Sequence, residues 1–149
     1  MATEIIPQDF RDFLKLLEDE CVAYLLIGGY AVGYYGYPRA TADMDVWIAI
    51  SPENAQKTFK ALERFGMRTP EMRPELFEEK GKIIRMGVPP MRLEIQTEIS
   101  GVDFEDCFNR RNRIDIGGFQ VNLISLDDLK TNKKASGRYK DLEDLEHLP

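Results

Sequence analysis

Cysteine and histidine are scarce in this sequence, which has two cysteines and one histidine among its 149 residues. Cys21 and Cys107 lie far apart and lack the paired spacing of a zinc site or a disulfide-rich scaffold, so we expect two buried thiols. His147 lies near the end of the chain, where we expect a surface residue rather than a catalytic base. The sequence therefore contains no cysteine or histidine framework on which a function would depend.

Long apolar runs and an excess of positive charge are also absent. The longest apolar stretch, residues 22–37, is interrupted by four glycines, and no basic segment leads into an apolar stretch at the N-terminus. We therefore expect a cytoplasmic protein without a membrane span. The formal net charge of -6 and the sequence pI near 4.9 disfavour nonspecific binding to RNA or DNA.

The apolar residues that are present indicate one mixed domain of helices and strands. The length and the hydrophobic content of 43% suit a single core, so we expect one domain over residues 1–149. Apolar residues at helical spacing after Pro7 predict a first helix, and residues 24–50 predict a strand, a short helix and a second strand. Ser51 and Pro52 predict the start of a third helix.

The second half of the chain predicts two hairpins and further helices. Prolines and glycines punctuate it, and the pair Gly117-Gly118 is typical of a two-residue hairpin turn. The predicted strands are 82–86, 91–97, 114–116 and 119–121; the predicted helices are 103–111, one that begins at Ser125, and an amphipathic one with Leu142, Leu145 and Leu148.

A glycine pair at the end of the first strand precedes two aspartates on the second strand. Asp43 and Asp45 are two residues apart, so their carboxylates point to the same face of the strand. Such a pair suits a hard divalent cation, which usually binds through one or two carboxylates plus substrate phosphates. Gly28 and Gly29 allow a backbone turn to approach a ligand, and the helix after them would direct free N–H groups towards phosphate. The sequence predicts a metal and phosphate site here.

A third carboxylate is available on the predicted strand 91–97. Alternation places Arg92, Glu94 and Gln96 on one face of this strand and Leu93 and Ile95 on the other. The polar face can therefore join the acidic site.

These motifs, in this order, resemble the minimal nucleotidyltransferases of the DNA polymerase beta superfamily, especially the AbiEii toxins and bacterial MNT proteins. The resemblance lies in Gly28 and Gly29, in the pair Asp43 and Asp45 on the next strand, and in Glu94 as a third acid on a later strand. It implies an α+β (α/β) fold: a nucleotidyltransferase-like mixed β-sheet flanked by helices, with a C-terminal helical segment.

Further residues of the AbiEii-like group are matched on both sides of these motifs. Arg39 and Thr41 come just before the acidic pair, and residues 132–142 contain Lys133, Arg138 and Lys140 in the order typical of that group. The resemblance implies that the three basic residues neutralise a triphosphate. It also implies that Arg39 and Thr41 support the turn or contact phosphate.

The implied activity is transfer of a nucleoside monophosphate from an NTP to a hydroxyl of an RNA (tRNA) or a protein. Asp43, Asp45 and Glu94 would be the catalytic residues and would hold magnesium or manganese, while Gly28 and Gly29 would bind phosphate through backbone N–H groups. Relatives work in toxin and antitoxin pairs, which implies a cognate toxin or antitoxin protein as a partner. This chain departs from the superfamily at Glu94, because the third acid is usually Asp.

Two other functions stay open on the sequence. The same fold, without turnover, would make a module that binds a nucleotide or a partner, and the substitution at Glu94 keeps this alternative open. In an interaction protein, the acidic pair would be an exposed surface feature, and the basic residues of 132–142 would form a solvated helix face. The missing G-x-G-x-x-G and G-K-[ST] patterns argue against a dinucleotide site and a P-loop.

Overall fold

The computed structural model describes residues 6–38, 41, 43–88 and 91–149. Arg39, one of the predicted site residues, lies outside the described residues. The described residues form six α-helices: α1 (Gln8–Asp19), α2 (Gly28–Tyr34), α3 (Pro52–Phe65), α4 (Phe104–Asn109), α5 (Leu126–Ser136) and α6 (Tyr139–His147). They also form six strands: β1 (Tyr24–Ile27), β2 (Asp43–Ile48), β3 (Ile83–Met86), β4 (Arg92–Gln96), β5 (Asn112–Ile116) and β6 (Phe119–Leu123). A short 3-10 helix, Pro74–Glu78, precedes β3.

The strands form one mixed sheet in the order β3-β4-β2-β1-β6-β5. β2 is antiparallel to β1 and parallel to β4, and β1 is parallel to β6. Each edge of the sheet is an antiparallel hairpin, β3 with β4 and β5 with β6. The two predicted hairpins are therefore confirmed as hairpins, although β5 and β6 each extend two residues further than predicted. β2 lies at the centre, which brings its side chains next to those of β4.

Alternation along β2 separates the core from the polar face. Met44, Val46 and Ile48 are fully buried, whereas Asp43 and Asp45 are half-buried on the opposite face. On the core side, the apolar stripe of α1 packs against α3 and β6. The sheet can therefore be apolar on one side of β2 and carry charge on the other.

The predicted fold class is confirmed, because a mixed sheet is flanked by helices and two helices end the chain. One local prediction is wrong, because Cys21 is exposed and only Cys107 is buried. The predicted final helix is present as α6, and Leu148 at its end is buried. Leu142 is exposed, however, and the buried residues within the helix are Asp141 and Asp144, which the leucine spacing did not reveal. No helix in the described part of the chain is long and apolar enough to cross a membrane.

Candidate active site

Three carboxylates meet on the polar face of β2 and β4. In the parallel pairing of these strands Asp45 is opposite Glu94, and Asp43 is opposite Arg92. Glu94 therefore lies beside Asp45 and diagonally from Asp43 on this face. The register between two strands that are far apart in sequence thus assembles the predicted triad of acids.

A cleft of about 1050 Å³ opens over these carboxylates. Its volume is that of a small-molecule binding site. Every predicted site residue that the structure describes lines it. They are Gly28, Gly29, Thr41, Asp43, Asp45, Glu94, Lys133, Arg138 and Lys140. The glycine turn, the acidic strands and the basic C-terminal segment therefore surround one space.

Gly28 stands where no other residue would fit. Its φ is +69°, and a Cβ built on it would lie 2.1 Å from Oδ2 of Asp45. A Cβ on Gly29 would lie 3.0 Å from Oγ1 of Thr41, which in turn donates a hydrogen bond to the backbone carbonyl of Asp43. The glycine pair thus lets the end of β1 and the start of α2 pack directly against the acidic strand.

The two aspartates have opposite electrostatic environments. Burial, and then the charges of Glu94 and Asp43, raise the pKa of Asp45 to about 7. A hydrogen bond from Arg92, opposed by burial, holds the pKa of Asp43 below its usual value. Lys140 favours the ionised form of both groups. Near neutral pH, Asp45 therefore keeps a proton for much of the time, because it is buried and because the charges of Glu94 and Asp43 lie beside it.

Sequence reasoning placed Arg92 on the face of Glu94 but assigned no role to it. In the structure Nε and Nη2 of Arg92 donate to the two carboxylate oxygens of Asp43, each at 2.9 Å. Arg85 on β3 donates from Nε to Oε2 of Glu94 at 3.2 Å. Alternation along β4 was the signal for Arg92, whereas the contact of Arg85 depends on how β3 pairs with β4.

The basic residues at the C-terminal side of the cleft differ in their surroundings. The Nζ atom of Lys133 is buried and lies 3.1 Å from carboxylate oxygens of both Asp141 and Asp144. Arg138 donates from Nε to Asp141 at 2.8 Å but keeps most of its side chain exposed. Lys140 is exposed at the cleft. Lys133 is therefore held inside the α5–α6 junction, and the other two face the space where a ligand would lie.

The donor set suits a hard divalent cation, although the acids are not arranged as a complete cage. Among residues 6–38, 41, 43–88 and 91–149, no three His, Cys, Asp or Glu side chains are arranged so that they could hold a metal ion. Two carboxylates together with substrate phosphates are a common set of ligands for magnesium. The residues thus fit an ion that binds together with a phosphate-bearing ligand.

No protein-family model matches the chain, and no curated protein matches it either. Two solved structures have a similar fold. A candidate nucleotidyltransferase from Thermotoga maritima aligns with a TM-score of 0.61 and 18% identity, over 92% of this chain and 88% of that one. An antigenic nucleotidyltransferase-like protein from Paracoccidioides brasiliensis aligns with a TM-score of 0.54 and 18% identity, over 93% of this chain and 73% of that one. The chain therefore has a nucleotidyltransferase-like fold, as the order of its motifs predicts.

Proposed function

We propose that this protein is a metal-dependent nucleotidyltransferase of the AbiEii and MNT-like group, which transfers a nucleoside monophosphate from an NTP to an acceptor hydroxyl. The observation that carries the proposal is the meeting of Asp43, Asp45 and Glu94 in one cleft with the glycine turn pressed against Asp45. The nucleotidyltransferase-like fold supports it, because the predicted motif residues of this chain that the structure describes line one cleft.

The reaction brings a negatively charged triphosphate into a site that contains negatively charged carboxylates, so it requires a cation between them. Magnesium or manganese, held by Asp43 and Asp45 together with the phosphates of the substrate, would polarise these phosphates and activate the acceptor hydroxyl. The hydroxyl oxygen attacks the α-phosphorus, its proton passes to a carboxylate oxygen of Glu94, and the bond to the β-phosphate breaks to release pyrophosphate. Backbone N–H groups of Gly28 and Gly29 would hold phosphate oxygens.

The basic residues divide into two roles in this proposal. Arg138 and Lys140 border the cleft with exposed side chains, so they would neutralise the triphosphate and the leaving pyrophosphate. Lys133 already compensates Asp141 and Asp144. We therefore assign Lys133 a positioning role at the base of α6 instead of the predicted phosphate contact. Thr41 would support the turn beside Gly29, and we propose that Arg39 binds phosphate.

The surface charges favour a protein over an RNA as the acceptor. The basic positions 110, 111 and 113 near β5 would have suited a tRNA end, but their side chains already have partners within the protein. Arg110 pairs with Asp128, Arg113 pairs with Glu18, and Arg111 hydrogen-bonds to Asn122. Together with the net charge of -6, these contacts reduce the attraction of this rim for a nucleic acid. A cognate toxin or antitoxin protein is the acceptor that fits this proposal best.

The test is transfer of label from each α-labelled NTP, with magnesium, to a mixture of tRNA and cell proteins. The variants are Asp43→Ala/Asp45→Ala and, as a control, Asp115→Ala on the far hairpin. We expect label on an acceptor with the wild type and the control, and a loss of at least about a hundredfold with the double variant. Digestion with protease or ribonuclease then identifies the acceptor class.

Failure of transfer has a defined meaning if nucleotide binding is measured in parallel. Metal-dependent binding of an NTP without labelled product in any acceptor mixture would contradict the enzyme proposal and favour the binding module. Equal labelling by the double variant would exclude the carboxylates from the chemistry. Circular dichroism of each variant would show that the comparison is made between folded proteins.

A further inference from the structure

Arg92 donates hydrogen bonds to both carboxylate oxygens of Asp43 within the cleft. Its Nε and Nη2 atoms each lie 2.9 Å from one of the two oxygens, and both residues line the cleft. A two-point contact of this kind is strong and directional. The oxygens that it uses are the ones that a hard divalent cation would need.

The register of the sheet builds this contact. Asp43 is directly opposite Arg92 in the parallel pairing of β2 with β4, and Asp45 is directly opposite Glu94. Side chains two residues apart on a strand share a face, so Arg92 and Glu94 project side by side over the acidic pair. The contact between Arg92 and Asp43 is therefore a consequence of the core strands of the fold and does not depend on a loop.

A second arginine has the same relation to the third acid. Arg85 is opposite Glu94 in the pairing of β3 with β4 and donates to its Oε2. Two guanidinium groups thus balance part of the negative charge of three carboxylates. A divalent cation that joins this cluster would compete with the arginines for the same oxygens. A triphosphate that enters with the cation would provide new partners for a displaced guanidinium.

On the basis of the proposed function, we propose that Arg92 is exchanged for the divalent cation at Asp43 and then binds the phosphates of the nucleotide. Before binding, Arg92 holds Asp43 and competes with the metal. After exchange, its guanidinium lies in the same cleft beside the triphosphate, to which a planar two-point donor is well matched. The same residue therefore opposes binding of the metal alone and favours binding of the metal together with nucleotide.

These opposite effects on the affinities for metal and for nucleotide distinguish the exchange of Arg92 for the cation from a purely structural role of Arg92. We would titrate Mn²⁺ alone, and then each of the four NTPs at saturating Mn²⁺, into the wild type, Arg92→Gln and Arg92→Lys by calorimetry. Arg92→Gln is expected to bind Mn²⁺ about tenfold more tightly and the preferred NTP about tenfold more weakly, as for loss of one charge-assisted contact. Arg92→Lys keeps the charge without the planar fork, so both changes are expected to be smaller.

Arg110→Gln is the matched control. Arg110 also holds an aspartate through Nε and Nη2, at 3.0 and 2.9 Å from Asp128, but neither residue lines the cleft. This variant loses the same charge and the same type of contact, and it is expected to leave both affinities unchanged. Thermal melts followed by circular dichroism would establish that all variants are folded.

The outcomes separate this inference from the function on which it rests. If the wild type binds Mn²⁺ with nucleotide but Arg92→Gln shows no gain in Mn²⁺ affinity, or no loss of NTP affinity, exchange is wrong and the nucleotidyltransferase proposal stands. If neither protein binds nucleotide with Mn²⁺, the proposed function fails and the exchange fails with it.

Discussion

Gly28 illustrates how a single residue connects the turn with the acidic strand. Two separate features require glycine here: the backbone φ is positive, and a Cβ at this position would lie 2.1 Å from Oδ2 of Asp45. The sequence predicted a backbone turn that approaches a ligand. In the structure, the approaching group is the carboxylate of Asp45, which the turn shields from solvent and whose pKa burial raises.

Gly28→Ala tests whether contact or backbone strain matters more at this position. We expect it to lower the free energy of unfolding by roughly 2 kcal/mol or more, because the methyl group adds a clash to the cost of the left-handed conformation. Gly66→Ala is the control, since Gly66 also has a positive φ but a Cβ there meets nothing within 4 Å. Urea denaturation should show a loss of only about 1 kcal/mol for Gly66→Ala. Equal losses would contradict the role of the contact.

The individual site residues were predictable to different degrees. Asp43, Asp45 and Glu94 followed from period-two alternation within two strands, and the glycines followed from their position after the first strand. The hydrogen bonds from Arg92 to Asp43 could not be predicted from the sequence, since they depend on which strand pairs with β2 and in which register. The burial of Lys133 also did not follow, because a lysine near acidic residues is usually exposed.

At the scale of elements, a buried ion-pair network joins α5 and α6. Nζ of Lys133 lies between carboxylates of Asp141 and Asp144, and the three side chains are almost completely buried. Asp141 also accepts hydrogen bonds from Arg138 at the start of α6. This ion-pair network fixes the segment that presents Arg138 and Lys140 to the cleft.

Lys133→Met is expected to be strongly destabilising. It keeps most of the side-chain volume but removes the charge that compensates two buried carboxylates, at a cost of about 3 to 5 kcal/mol. Lys134→Met, at the exposed next position of α5, should change stability by less than about 0.5 kcal/mol. Chemical denaturation of both variants provides the comparison. A small effect at Lys133 would show that the aspartates are compensated by other groups.

At the scale of the whole molecule, Asp45 in the central strand β2 makes the free energy of unfolding depend on pH. The pKa of Asp45 is raised from 3.8 to about 7, so between these values the folded protein holds a proton that the unfolded chain has released. The contribution of this group to stability is therefore complete below about pH 4 and is lost as the pH rises towards 7. Above that pH, the folded state carries a buried and repelled charge.

Asp45→Asn should remove this pH dependence. In buffer with EDTA, we expect the variant to be more stable than the wild type by roughly 2 to 4 kcal/mol at pH 8, with the difference shrinking as the pH falls towards 4. Unfolding by urea across this range measures it. Asp115→Asn on the exposed face of β5 is the control. An Asp45→Asn curve parallel to that of the wild type would contradict the shifted pKa.

The sequence by itself determined the kinds of element and the acidic and basic motifs, because these depend on local periodicity and on turn residues close together in the chain. The class of fold followed from the family that the order of these motifs resembles. The sequence did not determine the strand order β3-β4-β2-β1-β6-β5, since pairing depends on contacts between distant segments. Only the tertiary structure decided that Arg92 hydrogen-bonds to Asp43, that Gly28 packs against Asp45 and that Lys133 lies between two buried aspartates. Charge depends on amino-acid type, but the partner of each charge depends on which side chains the fold brings together.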